Sequence, residues 1–167
     1  MVGHMSVLEQ VDADFSGARR RALLRWMAAR LRRDIASGGL PCFDDVKRAS
    51  GAVGWIQRGT RTVPVGQISG SVGRCSEFDK AFMPLKVSSE DRWKRVDRAF
   101  WQSEELPAVG LYRVGDSYFV LDGHHRISVA RYHGVQWIDA EVMEFRARVR
   151  GTESSIAPDR GIRRRKN

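Results

Sequence analysis

The segment from Tyr118 to Arg131 (Tyr-Phe-Val-Leu-Asp-Gly-His-His-Arg-Ile-Ser-Val-Ala-Arg) changes periodicity in mid-course, and this constrains the fold more than any other stretch. Tyr118 to Leu121 favours a pleated surface, whereas Ile127, Ala130 and Arg131 recur at helical spacing before a stop at His133-Gly134. A strand must therefore turn directly into a helix. Gly123 at the junction permits the sharp turn and lets a ligand approach the backbone closely. Upstream, Val109 to Val114 reads as a strand joined to the first through Gly115-Asp116, a pairing suited to a tight hairpin turn. Downstream, Gln136 to Phe145 restores strand character.

The junction also carries the chemistry. The amides of His124, His125 and Arg126 are the free donors of a helix N-terminus, favourably placed for phosphate. Arg126 adds a guanidinium able to grip two phosphate oxygens. Asp122, at the strand end, can hold a magnesium ion or accept a proton from an attacking hydroxyl. The plainer alternative stays open: the histidines cap the helix and Arg126 pairs with a nearby carboxylate. Adjacent histidines at a helix start point in different directions, which argues against zinc.

Along the rest of the chain, Leu24, Ala28, Leu31 and Ile35 repeat at helical spacing, with Asp14 or Ser16 to cap the helix and Ser37-Gly38-Gly39 to stop it. This pattern predicts an apolar stripe laid on the main domain, with arginines facing water. Phe43 to Ala49 predicts a short helix. Arg61 to Ile68 predicts a strand, which Pro64 confines to an edge. The Ser69-Gly-Ser-Val-Gly-Arg74 loop offers exposed amides that can wrap an anion. Phe78, Phe82 and Met83 suggest a packed helical turn. Ser88 and Asp91 match the capping-box spacing ahead of a helix whose buried side is Trp93, Val96 and Phe100. The expected organisation is a flexible N-terminus over 1–15, opening with an added leader at Met1 to Met5. A helical extension over 16–60, the main domain over 61–145 and a basic disordered tail over 146–167 follow.

Charge bears on partners. Gly17 to Arg33 holds seven arginines and no acid, and Arg146 to Asn167 carries +6, so the remainder is −4 against a net of +9. Basic ends of this kind can bind DNA through counterion release, with Arg19, Arg20, Arg21, Arg163, Arg164 and Arg165 as the contacting residues. Equally, both ends are solvated faces of a chain that prefers arginine throughout, 24 against five lysines. No apolar run is long enough for a membrane span or placed as a secretion signal, which leads to the expectation of a cytoplasmic chain without a membrane partner. Cys42 and Cys75 lie far apart, without the spacing of a zinc site or a disulfide framework.

The segment from about Val63 to Phe145 resembles the ParB/sulfiredoxin superfamily, especially small bacterial ParB-like proteins. Val65-Gly-Gln-Ile-Ser-Gly-Ser-Val-Gly-Arg74, Phe78-Asp79, Arg92-Trp93, Leu106-Pro107 and above all Asp122-Gly-His-His-Arg126 carry the resemblance. It implies an α/β (α+β) domain with a small mixed sheet flanked by helices, here with a basic amphipathic N-terminal helix. It also implies a nucleotide pocket (ATP, ADP or CTP with Mg²⁺) in which Gly123, His124, His125 and Arg126 hold phosphates while Ser71 and Arg74 close from the opposite loop. Phosphotransferase or nucleotide-hydrolase chemistry would then use Asp122 as base or magnesium ligand, with His124 beside it. Sulfiredoxins carry a cysteine where His124 stands, so sulfinic acid repair is not expected. Partitioning proteins continue into DNA-binding and dimerisation segments that are not recognisable after Gly134. The Asp-Gly-His-His-Arg form is most similar to the free serine kinases. A DNA-binding protein or nuclease, and a non-catalytic interaction module, are the alternative functions.

Overall fold

Gly115-Asp116 closes strand β3 (Val109–Val114) onto β4 (Ser117–Asp122) in the computed structural model of the chain, which describes residues 5–32, 39–52 and 54–146. Strands β1 (Trp55–Pro64), β2 (Ile68–Ser71) and β5 (Trp137–Phe145) complete a five-stranded mixed sheet in the order β1-β5-β3-β4-β2. The fold is α+β, as expected. β5 runs parallel to β3 and antiparallel to β1, and β2 runs parallel to β4. Alternation assigns the faces. Val109 and Leu111 of β3, Val120 of β4 and Ala140 and Val142 of β5 pack with Ile127, Phe78 and Phe82. Val114, Phe119 and Phe145 face the other way, onto Phe43 of helix α2 (Phe43–Ser50).

The strand expected over 61–68 is instead two strands on opposite edges of the sheet. Pro64 lacks the N–H to continue β1, and a 3₁₀ turn at Val65–Gln67 leads into β2. A flat sheet would separate its outer strands by about 19 Å, whereas the link from Pro64 to Ile68 reaches at most about 14 Å. The sheet must therefore curl towards closure at this end. Arg131 fastens it there: its Nη2 donates to the carbonyls of Val65 (2.9 Å) and Ile68 (2.6 Å).

Helix α4 (His124–Tyr132) lies on the sheet through Ile127 and turns Val129 towards a second core. There Phe15, Ala18 and Ala22 of α1 (Val7–Leu31) meet Trp93 of α3 (Glu90–Trp101). The buried Trp93 indole donates to Ser128 Oγ at 2.8 Å.

Several expectations are corrected. α1 starts at Val7, capped by a Ser6–Glu9 capping box, so residues 7–15 are helical rather than flexible, and Asp14 and Ser16 are interior to the helix. Its buried face is Val11, Asp14, Phe15, Ala18 and Ala22, while Leu24 and Leu31 are 56% and 89% exposed. Ala18, Ala22 and Gly17 let α1 approach its neighbours closely around Phe15; a Cβ on Gly17 would stand 2.7 Å from the Tyr132 hydroxyl. Ile35, Ser37 and Gly38 lie outside the described residues. β1 begins at Trp55, so 55–60 belongs to the sheet and not to a helical extension. Phe78 to Met83 is a non-helical turn in which Asp79 Oδ1 accepts the amides of Ala81 and Met83. No Ser88–Asp91 box forms; a 3₁₀ turn at Val87–Ser89 leads into α3, and the Ser89 hydroxyl donates to the Lys86 carbonyl. On α3 the fully buried residues are Trp93, Asp97 and Ala99, whereas Phe100 is exposed. Cys42 and Cys75 form a disulfide with Cα atoms 5.6 Å apart, because the turn before α2 lies beside the loop after β2. Of the tail, only Arg146 is described. Among the described residues no helix is long and apolar enough to cross a membrane.

The position of α1 sets a stability contrast. Phe15→Ala should cost about 3–5 kcal/mol in urea denaturation, because it empties the junction of three helices. Leu24→Ala and Leu31→Ala should each stay within about 0.5 kcal/mol of the parent. The reverse ranking would place the wrong face of α1 against the domain.

Candidate anion-binding site

Gly123 takes φ +90° between β4 and α4, and a Cβ there would lie 2.7 Å from Val109 Cγ1. Only glycine fits both the angle and the space. Among the described residues no side chain caps α4, and its first internal bond is Ile127 N–H to the Gly123 carbonyl at 3.0 Å. The amides of His124, His125 and Arg126 precede that bond and point out of the helix start.

These amides open onto a cleft of about 280 Å³ lined by Arg74, Arg92, Arg95, Val96 and residues 121–126. A neighbouring cavity of about 410 Å³ shares Arg74, Arg92 and His125 and adds Ser88 and Ser89. Besides Arg126, three guanidinium side chains line the cleft: Arg74 from the loop after β2, Arg92 and Arg95 from α3. Arg74 touches Glu77 at a long 3.5 Å. Among the described residues, neither Arg92 nor Arg95 has a carboxylate within ion-pair distance.

The other expected residues take different parts. Arg126 is committed elsewhere: Nη1 donates to the carbonyls of Pro107 and Ala108, and Nη2 meets Asp122 Oδ2 at 2.6 Å. Its guanidinium is therefore not open for two phosphate oxygens, and the alternative of a carboxylate pairing holds. Asp122 remains 77% exposed and is, among the described residues, the one carboxylate lining the cleft. Ser71 and His124 are both buried and bonded to each other, Oγ to Nε2 at 2.8 Å, with the Arg74 amide donating to Ser71 Oγ at 3.2 Å. Ser71 Oγ and the His124 ring are consequently scaffold for the Arg74 loop rather than phosphate ligands. Burial, reinforced by Arg74 and His125, lowers His124 to about 4. His125 packs edge-on against Phe78 at 5.5 Å and borders both cavities, with Nδ1 buried and unpartnered. Burial, then Arg74 and Arg92, lowers it also to about 4.

Arg19 and Arg20 border a separate, mainly apolar groove of about 520 Å³ with Leu23, Trp26, Pro84 and Leu85. Arg21 lies 4.4 Å over the Tyr132 ring and donates to that residue's carbonyl. These three do not join the cleft, and Arg163, Arg164 and Arg165 lie outside the described residues. Arg95 was invisible as a site residue in the sequence, and Arg92 entered only through the resemblance. The available signal was a pair of arginines one turn apart on the helix that carries Trp93.

No protein-family model, curated protein or solved structure matches this chain.

The two depressed histidines give a pH dependence. Their neutral form is favoured in the folded state, so the stability they contribute is complete above about pH 6.5 and is lost as pH falls towards 4. Melting temperature should fall over that range in the parent and fall less in His125→Gln, measured by thermal melts. Equal pH slopes would contradict the burial of an uncharged His125.

Proposed function

We propose that the cleft at the start of α4 binds a nucleotide through its phosphates. The observation that carries this reading is the convergence of Arg74, Arg92 and Arg95 on an uncapped helix N-terminus. Backbone amides and guanidinium groups together recognise phosphate by charge and by directed hydrogen bonds. Val96 and exposed Leu121 supply apolar wall for a base or ribose, which an inorganic anion would leave unused. The resemblance of Asp122-Gly-His-His-Arg126 to the nucleotide-contacting motif of the ParB/sulfiredoxin superfamily supports the same ligand class in a cytoplasmic protein.

Phosphoryl transfer or hydrolysis is the chemistry proposed for the site, driven by positioning and charge neutralisation. Asp122 is held in place by Arg126 and keeps most of its carboxylate open, so it is the residue to accept a proton or to hold Mg²⁺. A single exposed carboxylate fits Mg²⁺, which is commonly held by one or two carboxylates together with substrate phosphates. Bound Mg²⁺ would neutralise charge on the phosphate oxygens.

The test is isothermal titration with ATP, ADP and CTP, with and without Mg²⁺, and with a short DNA duplex as competitor. At least one nucleotide should bind, and Arg92→Ala and Arg95→Ala should each weaken it about 10-fold or more, the worth of a charge-assisted hydrogen bond. Asp122→Asn should keep binding and lose turnover. Absence of nucleotide binding, or binding indifferent to both arginines, would remove this reading. Duplex binding that survives these substitutions and weakens steeply with salt would favour the DNA alternative.

A further inference from the structure

On the far side of α3 and α4 from the nucleotide cleft, three helices bring together Asp14 of α1, Asp97 of α3 and His133 at the end of α4. One donor atom from each lies within 4.8 Å of the others. His133 Nε2 is 2.6 Å from Asp97 Oδ1 and 3.9 Å from Asp14 Oδ2. The side chains are almost wholly removed from water: Asp97 is 0%, Asp14 8% and His133 13% exposed. Buried carboxylates are normally paired with cations or bound to metal. Here, among the described residues, no lysine or arginine lies within ion-pair distance of either.

Asp97 Oδ2 is buried and has no hydrogen-bond donor among the described residues. One carboxylate oxygen of Asp14 lies within 4.8 Å of one of Asp97, so two acceptors confront each other. Asp14 is in turn oriented by Trp101 Nε1 (2.9 Å), Gln10 Nε2 (3.1 Å) and the Tyr132 hydroxyl (3.3 Å). The His133 ring is fixed by stacking on Phe100, with centroids 4.2 Å apart. Oriented ligands with their own hydrogen-bonded supports are the usual surroundings of a metal ion.

We propose that Asp14, Asp97 and His133 bind one divalent first-row transition-metal ion, of which Zn²⁺ is the probe of choice, and that the ion locks α1 onto the α3–α4 pair. An imidazole with two carboxylates suits Zn²⁺, Mn²⁺ or Co²⁺ better than Ca²⁺ or Mg²⁺, which take oxygen ligands. Ligand atoms around a tetrahedral ion at about 2.0–2.2 Å stand about 3.4 Å apart. The His133 distances of 2.6 and 3.9 Å bracket that value and the Asp14–Asp97 pair lies within 4.8 Å, so side-chain shifts of about one ångström seat the ion. Binding replaces the hydrogen bond between His133 and Asp97 with two bonds to the ion, and the fourth position is left for water. Trp101 and Phe100, both partly exposed, form the outer wall through which the ion enters.

The full chain, freed of metal by chelation, is titrated with ZnCl₂ by calorimetry and then with CoCl₂ in the visible range. One ion per chain should bind, the melting temperature should rise, and Co²⁺ should give the absorption of a four-coordinate site. Near-isosteric Asp97→Asn, and His133→Gln, should each weaken Zn²⁺ by about 100-fold or more. Trp101→Phe keeps the fold and should weaken Zn²⁺ about 10-fold through loss of the bond that orients Asp14. Arg92→Ala should leave Zn²⁺ binding unchanged, separating this site from the nucleotide cleft. No uptake at millimolar Zn²⁺ by the folded parent would overturn the proposal. So would uptake that persists undiminished in Asp97→Asn and His133→Gln, since the ion would then sit on other ligands.

Discussion

At Gly123 the backbone leaves a strand and enters a helix within one residue, at a positive φ and with no room for a Cβ. The other features of the cleft depend on that reversal. It aims the first amides of α4 at the loop after β2 and at α3 instead of along the sheet. It places Arg126 one turn above Asp122, so that their ion pair closes the corner while the guanidinium collects two carbonyls from the segment entering β3. It also buries the His124 ring under Phe78, where it can hold Ser71. The residue that reads most like a phosphate clamp is spent on building the corner. The guanidinium groups open to the cleft come from elsewhere, from the loop after β2 and from α3.

Arg131 has a similar duty at the opposite end of α4. Curling the sheet leaves the carbonyls of Val65 and Ile68 at a crossing that no strand can pair, and its guanidinium satisfies both. Burial lowers its pKa, a cost accepted because an unsatisfied buried carbonyl is also expensive. The crossing fixes where β2 begins, and β2 ends at Ser71, three residues from Arg74. A guanidinium remote from the cleft thus helps to set the position of one inside it.

Local signals made the hairpin, the strand-to-helix junction and β5 legible, because each is specified by alternation, a turn pair or a glycine within a few residues. α2 was legible for the same reason. The docked face of α1 was not. Leu24, Ala28 and Leu31 repeat as a core stripe should, yet the helix is held by Phe15, which fills the junction, and by Ala18 and Ala22, small enough to let α1 approach α3 and α4 closely. Periodicity identifies a face that can be buried, and the shape of the partner decides which face is. The Cys42–Cys75 pair, Arg95 in the cleft and the Asp14–Asp97–His133 cluster all depend on residues far apart in the chain, so no spacing rule reaches them. The place of Asp122 at the strand end and the turn at Gly123 were legible because both are set by immediate neighbours. Arg126 was misjudged because its strongest partners, the carbonyls of Pro107 and Ala108, carry no side-chain signature.

The two proposed ion sites stand at opposite ends of one nine-residue helix, and its polarity suits both. Aligned peptide dipoles leave partial positive charge at the start of α4, where Arg74, Arg92 and Arg95 gather, and the pair of effects favours an anion. At the other end the partial negative charge adds to that of Asp14 and Asp97 around His133, which disfavours bare carboxylates there and favours a cation. α3 divides in the same sense, with Arg92 and Arg95 lining the cleft and Asp97 buried against α1 and α4. Turning the same charges end for end would place carboxylates over the free amides and guanidinium groups over the free carbonyls. Each set would then be satisfied by the helix itself, and neither would be left with an affinity for a ligand from solution.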